Sequence, residues 1–532
     1  MRIKLLDCTL RDGGYVNNWN FGKKNIKTVI SKLSSAGIEI IECGFLSNKN
    51  NWTKDQSQFN TIKEMEEYIL TPKKDTMYVG MINLGEYGIE DIPSYKGGMI
   101  SGIRIVFHQH QVNSAIDYAK EIKDKGYRVF IQPMATINYS DQELLELVNQ
   151  VNDINPYAFY IVDSFGVMKQ NDLTRMFYLL DNNLNNEISI GYHAHNNLQL
   201  AYSNAQSLIS IHTHRNIIID SSVFGMGRGA GNLNTELFTS YLNDAVGKTY
   251  VINPLLQIID DILNTIYAEN YWGYSLAHYL SAKFNCHPNY ATYLDDKNCL
   301  MINEMSDILK RIDIEKRNTF DKNYIEEIYI EYQNNNVDDT KILEYLEEVV
   351  YNKEILIIAP GKSLEIYQEQ IASYVHAYNP VIFSVNFNPS EIDVDYIFVS
   401  NSKRYHQLEE ANIVGKNNII KTSNIKLDGG NSYVVNYNSL LNEFEAVESN
   451  ATLLLIKLLI NCSARRVTFA GFDGYSLETA ENYTNASLKL PAKQENIKQL
   501  NKNIKLALDY YSDEIEMKFI TPTRYGVGTN EV

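Results

Sequence analysis

Ile3-Lys4-Leu5-Leu6-Asp7-Cys8-Thr9-Leu10-Arg11-Asp12-Gly13-Gly14 joins a short apolar strand to a turn that carries a guanidinium and a carboxylate side by side. The stretch after it, Lys23–Ala36, repeats its apolar residues at helical spacing. This strand-and-helix unit recurs at a pitch of roughly 30 residues as far as residue 250. Strands are predicted at Ile3–Cys8, Ile38–Gly44, Met77–Ile82, Gly102–Phe107, Arg128–Pro133, Ala158–Asp163, Ile188–His195 and Asn216–Ser222, with helices such as Lys23–Ala36 and Asp141–Asn152 between them. Eight such units imply an α/β fold, a (β/α)8 TIM barrel over residues 1–250. In that fold the C-terminal strand ends share one mouth, where Asp12, Glu42, His108, Asp163, His193, His195 and the glycine-rich loop after Ser222 all fall.

His193 and His195 lie two residues apart on a predicted strand, so both imidazoles project from one face and can reach one ion. Asp12, from another strand end, completes a coordination face of the kind a divalent metal accepts. Arg11 beside it can hold an oxyanion, a combination that points to enolate chemistry.

The run Asp7-x-Thr9-Leu10-Arg11-Asp12-Gly13 resembles the signature of the metal-dependent DRE-TIM lyases and aldolases, which include 4-hydroxy-2-oxovalerate aldolase, hydroxymethylglutaryl-CoA lyase and isopropylmalate synthase. Further likeness lies in Ile41-Glu42-Cys43-Gly44, Val162-Asp163-Ser164-Phe165-Gly166, His193-Ala194-His195-Asn196-Asn197 and the run from Gly225 to Glu236, so that it spans about residues 1–300. The resemblance implies that Asp12, His193 and His195 hold a divalent metal, Mn²⁺ or Mg²⁺, and that Arg11 polarises the carbonyl that becomes an enolate. Asn232 matches an additional ligand of the lyase branch. The implied substrates are a 2-oxo acid and an aldehyde, which a fused glycan-type domain would make sugar-derived.

Departures from the pattern narrow the reaction. The loop Gly225 to Gly231 lacks the catalytic Cys of the hydroxymethylglutaryl-CoA lyases, and no acyl-CoA determinant is evident, although a Claisen-type condensing synthase is the nearest rival reading. Tyr15 stands where the aldolases place a proton-transferring His. A phenol serves as a base only if its pKa of about 10 is lowered, and otherwise acts as an acid on the product alkoxide. The base is therefore open among His108, Tyr15 and a metal-bound water. Glu42 is either catalytic or an ion-pair partner of Arg11, and Asp163 either touches substrate and ligand shell or caps a loop. Tyr274 and Tyr279 lie near the place of a helical Tyr that closes over the aldolase site, with core packing the better single expectation for each.

Residues 251–350 read as a helical extension and linker, with helices at Pro254–Ala268, Ser275–Phe284 and Thr340–Tyr351. Strands resume at Ile355–Ala359, Val381–Val385, Tyr396–Ser400, Asn418–Thr422, Ser432–Tyr437 and Arg466–Ala470, with a helix at Ser449–Asn461. Residues 351–532 are thus expected to form a Rossmann-like, doubly wound domain. The turn Ala359-Pro360-Gly361-Lys362-Ser363 is not a P-loop, because Leu356 stands where the first glycine must be. This half resembles the Rossmann-like domains of bacterial sialyltransferases and pyrophosphokinase-like glycan accessory proteins. The likeness implies a nucleotide or nucleotide-sugar cleft lined by Gly361, Ser363, Asn386 and Asp473. A domain used only for assembly, or a non-catalytic nucleotide-binding scaffold, is the competing expectation.

With 44% hydrophobic and 21% charged residues, the 532-residue chain has a globular composition. Its net charge of -17 repels nucleic acid and excludes a phosphate-backbone binder. Cys8, Cys43, Cys286, Cys299 and Cys462 are scattered with no Cys-x-x-Cys and read as free thiols, which suits the cytoplasm. No membrane span is predicted, since the best apolar run, Leu453 to Ile460, is broken by Lys457. A homodimer is compatible with the sequence.

Overall fold

Leu5, Ile41, Ile103, Ile131, Ile161 and Ile219 join one buried cluster, while their neighbours Leu6, Ile40, Phe130, Tyr160 and Ile218 join another with Val79. Two buried faces on one set of strands are what a closed parallel sheet requires, one face packed on helices and one filling the lumen. The computed structural model describes residues 3–416, 418–427, 432–444, 446–476, 482–484 and 494–526, with side chains from 497 in the last segment. The barrel strands are β1 (Ile3–Asp7), β2 (Ile40–Leu46), β3 (Met77–Asn83), β4 (Ile100–Phe107), β5 (Arg128–Pro133), β6 (Ala158–Asp163), β7 (Ser189–Ala194) and β8 (Ile217–Ser221). Each pairs in parallel with the next, and β1 closes the ring through Leu6↔Ile40 on β2 and Ile3↔Ile217 on β8.

All eight expected strands are present within about two residues at their ends. β2 runs on to Leu46 because Phe45 and Leu46 pair with an extra short strand, Gln58–Phe59, that sequence pattern did not reveal. Gly44 permits that approach: its φ is +144°, and a Cβ there would stand 2.0 Å from the Ser57 carbonyl oxygen. The helix Lys23–Ala36 buries Ile26, Val29, Ile30 and Leu33 at the spacing of one helical stripe and stops at Gly37, whose φ is +90°. The helix Asp141–Ile154 starts at a Ser140–Glu143 capping box and outruns its expected end by two residues, since Val151 and Ile154 still reach the core.

The chain divides into two compact units, Met1–Thr292 with Asp313–Phe320, and Tyr293–Ile312 with Asp321–Val532. The helical stretch at 251–350 is therefore shared between them. Within it, the helix at 253–269 carries a π turn at Ile259–Leu263.

The second unit holds β9 (Ile355–Ile358), β10 (Val381–Val385), β11 (Tyr396–Val399), β12 (Asn418–Thr422), β13 (Ser432–Val435), β14 (Arg466–Ala470) and β15 (Glu516–Phe519). They form an all-parallel sheet in the order β13-β12-β11-β10-β9-β14-β15. Ile355 and Ile357 pack into one apolar cluster and Leu356 and Ile358 into another, so both faces are covered, as a doubly wound sheet requires. The strand order reverses between β9 and β14. The Gly361 and Asp473 loops leave the C-terminal ends of these two strands at that switch point. All five cysteines are free thiols. Among the described residues no helix is long and apolar enough to cross a membrane.

Candidate metal centre and active site

Period-two alternation turns Glu42, Arg104, His193 and Asp220 into the barrel interior, because their neighbours Ile41, Ile103, Tyr192 and Ile219 belong to the outer cluster. Arg11 and Asp12 follow β1 in a turn held by bonds from their backbone N–H groups to the Cys8 carbonyl, and by Trp19 Nε1 donating to the Arg11 carbonyl at 2.8 Å. Asp12, His193 and His195 are all buried, and one ligand atom of each lies within 4.8 Å of the others. The side chains expected to share an ion are therefore together.

Each histidine has one nitrogen committed elsewhere. His193 Nδ1 stands 3.1 Å from Asp220 Oδ2, and His195 Nδ1 stands 3.1 Å from the Arg228 carbonyl. With those protons on Nδ1, both Nε2 lone pairs remain for a metal, in the carboxylate–histidine arrangement that orients ligands in many metal sites. Burial alone would raise the Asp12 pKa, but His195, Arg11 and His193 around it hold the carboxyl well below its ordinary value.

Two observations show that the residues fit an ion. Asn232 Oδ1 is buried with no hydrogen-bond partner beside Asp12, and at Gly227 a Cβ would stand 2.4 Å from Asn232 Nδ2 and 2.7 Å from Asp12 Oδ2. Asn232 itself donates from Nδ2 to Asp12 Oδ2 at 2.6 Å, so its amide nitrogen orients the carboxylate while the oxygen stays free.

A string of alternating charges links the ligands. Arg11 donates from Nη1 to Asp12 Oδ1 at 2.6 Å and from Nε to Glu42 Oε2 at 2.8 Å. Glu42 Oε2 also lies 2.8 Å from Arg104 Nη1, and Arg104 Nη2 pairs with Asp220, which returns to His193. Arg104 further rests against the Tyr160 ring, 4.9 Å from its centroid. Arg104 and Asp220 were missed by sequence reasoning, although a single charge inside Ile103-Arg104-Ile105 or after Ile217-Ile218-Ile219 is the available signal. Glu42 does not line the cavity; it lies behind Arg11 as a positioning residue. Arg11 Nη2 is buried and has no protein partner.

The cavity above these groups is also lined by Tyr15, His108, Arg228 and His287, and by Asn318, Thr319 and Phe320 from the returning segment. Tyr15, 43% exposed as a whole, packs edge-on to Trp19 at 4.7 Å, and desolvation of its phenol raises the pKa above the ordinary value despite Arg228 and Arg11 nearby. His108 is lowered, by burial first and then by His110 and Arg228. Asp163 caps a loop, with Oδ1 accepting from the Val167 N–H at 2.9 Å and Oδ2 from the Met168 N–H at 3.0 Å. Burial raises its pKa to about 7. Tyr274 and Tyr279, expected in the core, are instead 54% and 38% exposed and line no part of this cavity. Their place over the mouth is taken by His287 and the 318–320 segment, whose sequence carries no periodic signal.

In the second unit, Gly361, Asn386 and Asp473 line one cavity at the switch point, whereas Ser363 reaches it only through Asp473. Asp473 Oδ2 accepts from the Ser363 N–H at 2.8 Å, and Oδ1 from its hydroxyl. Asn386 Oδ1 accepts from the Ser400 N–H at 3.2 Å. A Cβ on Gly361 would meet the Gly471 carbonyl oxygen at 2.2 Å.

Residues 104–259 match the HMGL-like family model. Among curated relatives, 4-hydroxy-2-oxovalerate aldolase of Geobacillus genomosp. 3 is 27% identical over 262 residues, 48% of this chain and 75% of that protein. Oxaloacetate decarboxylase of Mycobacterium tuberculosis is 24% identical, over 45% of this chain and 69% of its own length. The solved N-terminal domain of a candidate aldolase from Bacteroides vulgatus is 26% identical, with a TM-score of 0.45, and covers 55% of this chain and 96% of that one. The matched segment includes Arg104, both candidate metal-ligating histidines and the glycine-rich loop, and it ends before the second sheet begins. The likeness of residues 351–532 to sialyltransferases and glycan accessory domains gains no support from these matches. The barrel is thus similar to aldolases and lyases and carries a candidate divalent-metal site.

Proposed function

We propose that the barrel makes or breaks a carbon–carbon bond beside the ketone of a 2-oxo acid, through a pyruvate-type enolate, with Mn²⁺ or Mg²⁺ and an aldehyde as the second reactant. The observation that carries this reading is Arg11 Nη2, a buried guanidinium nitrogen without a partner beside the Asp12, His193 and His195 cluster, while its Nε and Nη1 are tied to carboxylates. Asp12, His193 and His195 would hold the divalent ion, which would supply Lewis-acid polarisation of the 2-oxo acid. Arg11 donates to the oxygen on which enolate charge grows, and because Glu42 and Asp12 already fix its plane it needs no reorganisation to do so. Tyr15, with a raised pKa, keeps its proton at neutral pH and suits a donor to the product alkoxide. His108, with a lowered pKa, is neutral there and is the better base. The activities for which the two curated relatives are named fit one intermediate, since cleaving 4-hydroxy-2-oxovalerate and decarboxylating oxaloacetate both leave a pyruvate enolate.

The test is metal-dependent deuterium exchange into the methyl group of pyruvate, followed by NMR. Arg11→Ala is expected to slow it about 10²–10³-fold, the cost of one oxyanion donor. Wild-type protein that fails to exchange with either ion, or that exchanges equally well after metal removal, sinks the reading. Release of a free thiol from an acyl-CoA mixed with a 2-oxo acid would instead favour the Claisen-type synthase.

A further inference from the structure

Among the described residues Asp12 is the single carboxylate lining the barrel cavity, against Arg11, Arg228 and four histidines. In a chain of net charge -17 this is a local reversal of sign. The ion and Arg11 account for one anion. Arg228 and His287 are left over.

Their hydrogen bonding is incomplete in a specific way. His287 Nδ1 accepts from the Asn289 backbone N–H at 3.2 Å, so a neutral ring carries its proton on Nε2. That Nε2 lies 3.4 Å from Arg228 Nη1, which is itself a donor. Two N–H groups therefore face each other without an acceptor between them. Protonating the ring would only add a second cation, and burial with the charge of Arg228 keeps the imidazole neutral. Phe320 stacks on the ring at 6.0 Å and Phe165 meets its edge at 6.1 Å, so aromatic packing holds the imidazole in place independently of Arg228. Arg228 is fixed in turn: its Nη2 donates to the Ser164 carbonyl at 3.3 Å, its guanidinium lies 5.5 Å from the centre of the Tyr15 ring, and its buried Nε has no partner.

We propose that Arg228 and His287 form a second anion site that receives a carboxylate at the end of the substrate remote from the enolate carbon, so that the full-length substrate is a 2-oxo diacid and the aldehyde half carries a carboxylate. The proposal rests on the enolate reading above, which assigns the other carboxylate to the metal and Arg11. Two converging donors suit one carboxylate, whereas a phosphate would leave most of its oxygens unserved. A neutral aldehyde would leave the donor pair facing itself, which costs a desolvated site the bonds it is built to make.

The test is calorimetric binding to the Mn²⁺-loaded full chain. 2-Oxoglutarate, 2-oxoadipate and 2-oxopimelate are each compared with the 2-oxo monoacid of equal length. At least one diacid is expected to bind about tenfold tighter or better than its monoacid, as one charge-assisted contact provides. In Arg228→Met that advantage should fall below about twofold, and in His287→Ala to about threefold, by loss of one of two donors. Should Arg228→Met fail to fold, the His287 variant decides alone. Equal binding of diacid and monoacid by the wild type, no binding of either, retention of the preference in both variants, or tighter binding of a distal phosphonate overturns the proposal. Pyruvate methyl exchange by the wild type reports separately on the enolate reading, so the two can fail independently.

Discussion

The two parallel sheets offer the same kind of place, the C-terminal ends of strands, and furnish it in opposite ways. At the barrel mouth the polar groups keep atoms in reserve: Arg11 Nη2, Asn232 Oδ1 and Arg228 Nε are buried and unbonded. At the switch point of the second sheet the corresponding groups are turned on the protein itself, with Asp473 on Ser363, Asn386 on Ser400, and Asn450 on the Thr452 and Leu453 N–H groups at the start of a helix. The comparison teaches that a cavity lined by polar side chains is a reactive site only where burial has been imposed on groups left incomplete. An unsatisfied buried atom costs stability, and function is one reason to retain it.

The largest effect separating the two regions should come from Asp12→Ala. Pyruvate methyl exchange is expected to fall about 10³-fold or more, because the ligand set is broken and Arg11 loses its anchor. Exchange within tenfold of wild type would break the comparison. Arg104→Met comes next. It leaves Glu42 with Arg11 alone and Asp220 with His193 alone, which should cost about 3–5 kcal/mol in denaturant unfolding, and Mn²⁺ affinity should fall about 10–100-fold as Asp220, no longer held by Arg104, orients His193 less firmly. An unchanged Mn²⁺ affinity would show that the string of charges does not act on the ligands.

Asp163 and Asp473 sharpen the contrast, since both cap backbone N–H groups and have raised pKa values, Asp163 buried and Asp473 half-buried, one in each unit. For Asp163 the unfolded carboxyl titrates near 3.9 and the folded one near 7, so the native state binds the extra proton between them. Its contribution is present below about pH 4 and lost as pH rises through 7, on the order of a few kcal/mol. Asp163→Asn should flatten that slope in unfolding measured across the window; an identical slope would contradict it. The smallest effect is expected for Asp473→Ala, about 1–2 kcal/mol for a lost helix-start cap, read from the denaturant midpoint. A stability increase would mean that Asp473 is held for a ligand and not for the turn.

The barrel was legible because its strands are apolar runs of ordinary length, bounded by turns, and because His193-Ala194-His195 and Arg11-Asp12 fall at strand ends where period-two geometry decides their direction. The second sheet was legible for the same reason up to β14. β15 escaped, since Glu516-Met517-Lys518-Phe519 alternates charge with apolar residues on an edge strand that is only half buried. Tyr15 lines the cavity, and its role was left open in the sequence because a pKa direction depends on surroundings that a linear pattern does not encode. His287 and Phe320 approach the barrel cavity from 285–292 and 313–320, segments far along the chain whose placement rests on tertiary packing alone.

Three carboxylates and two guanidiniums alternate from Asp12 through Arg11, Glu42 and Arg104 to Asp220. This string carries one surplus negative charge, which the proposed divalent cation would convert to one positive and a monoanionic 2-oxo acid would then cancel. The cation would therefore relieve the buried string of its surplus and leave an electropositive floor on which the acid settles.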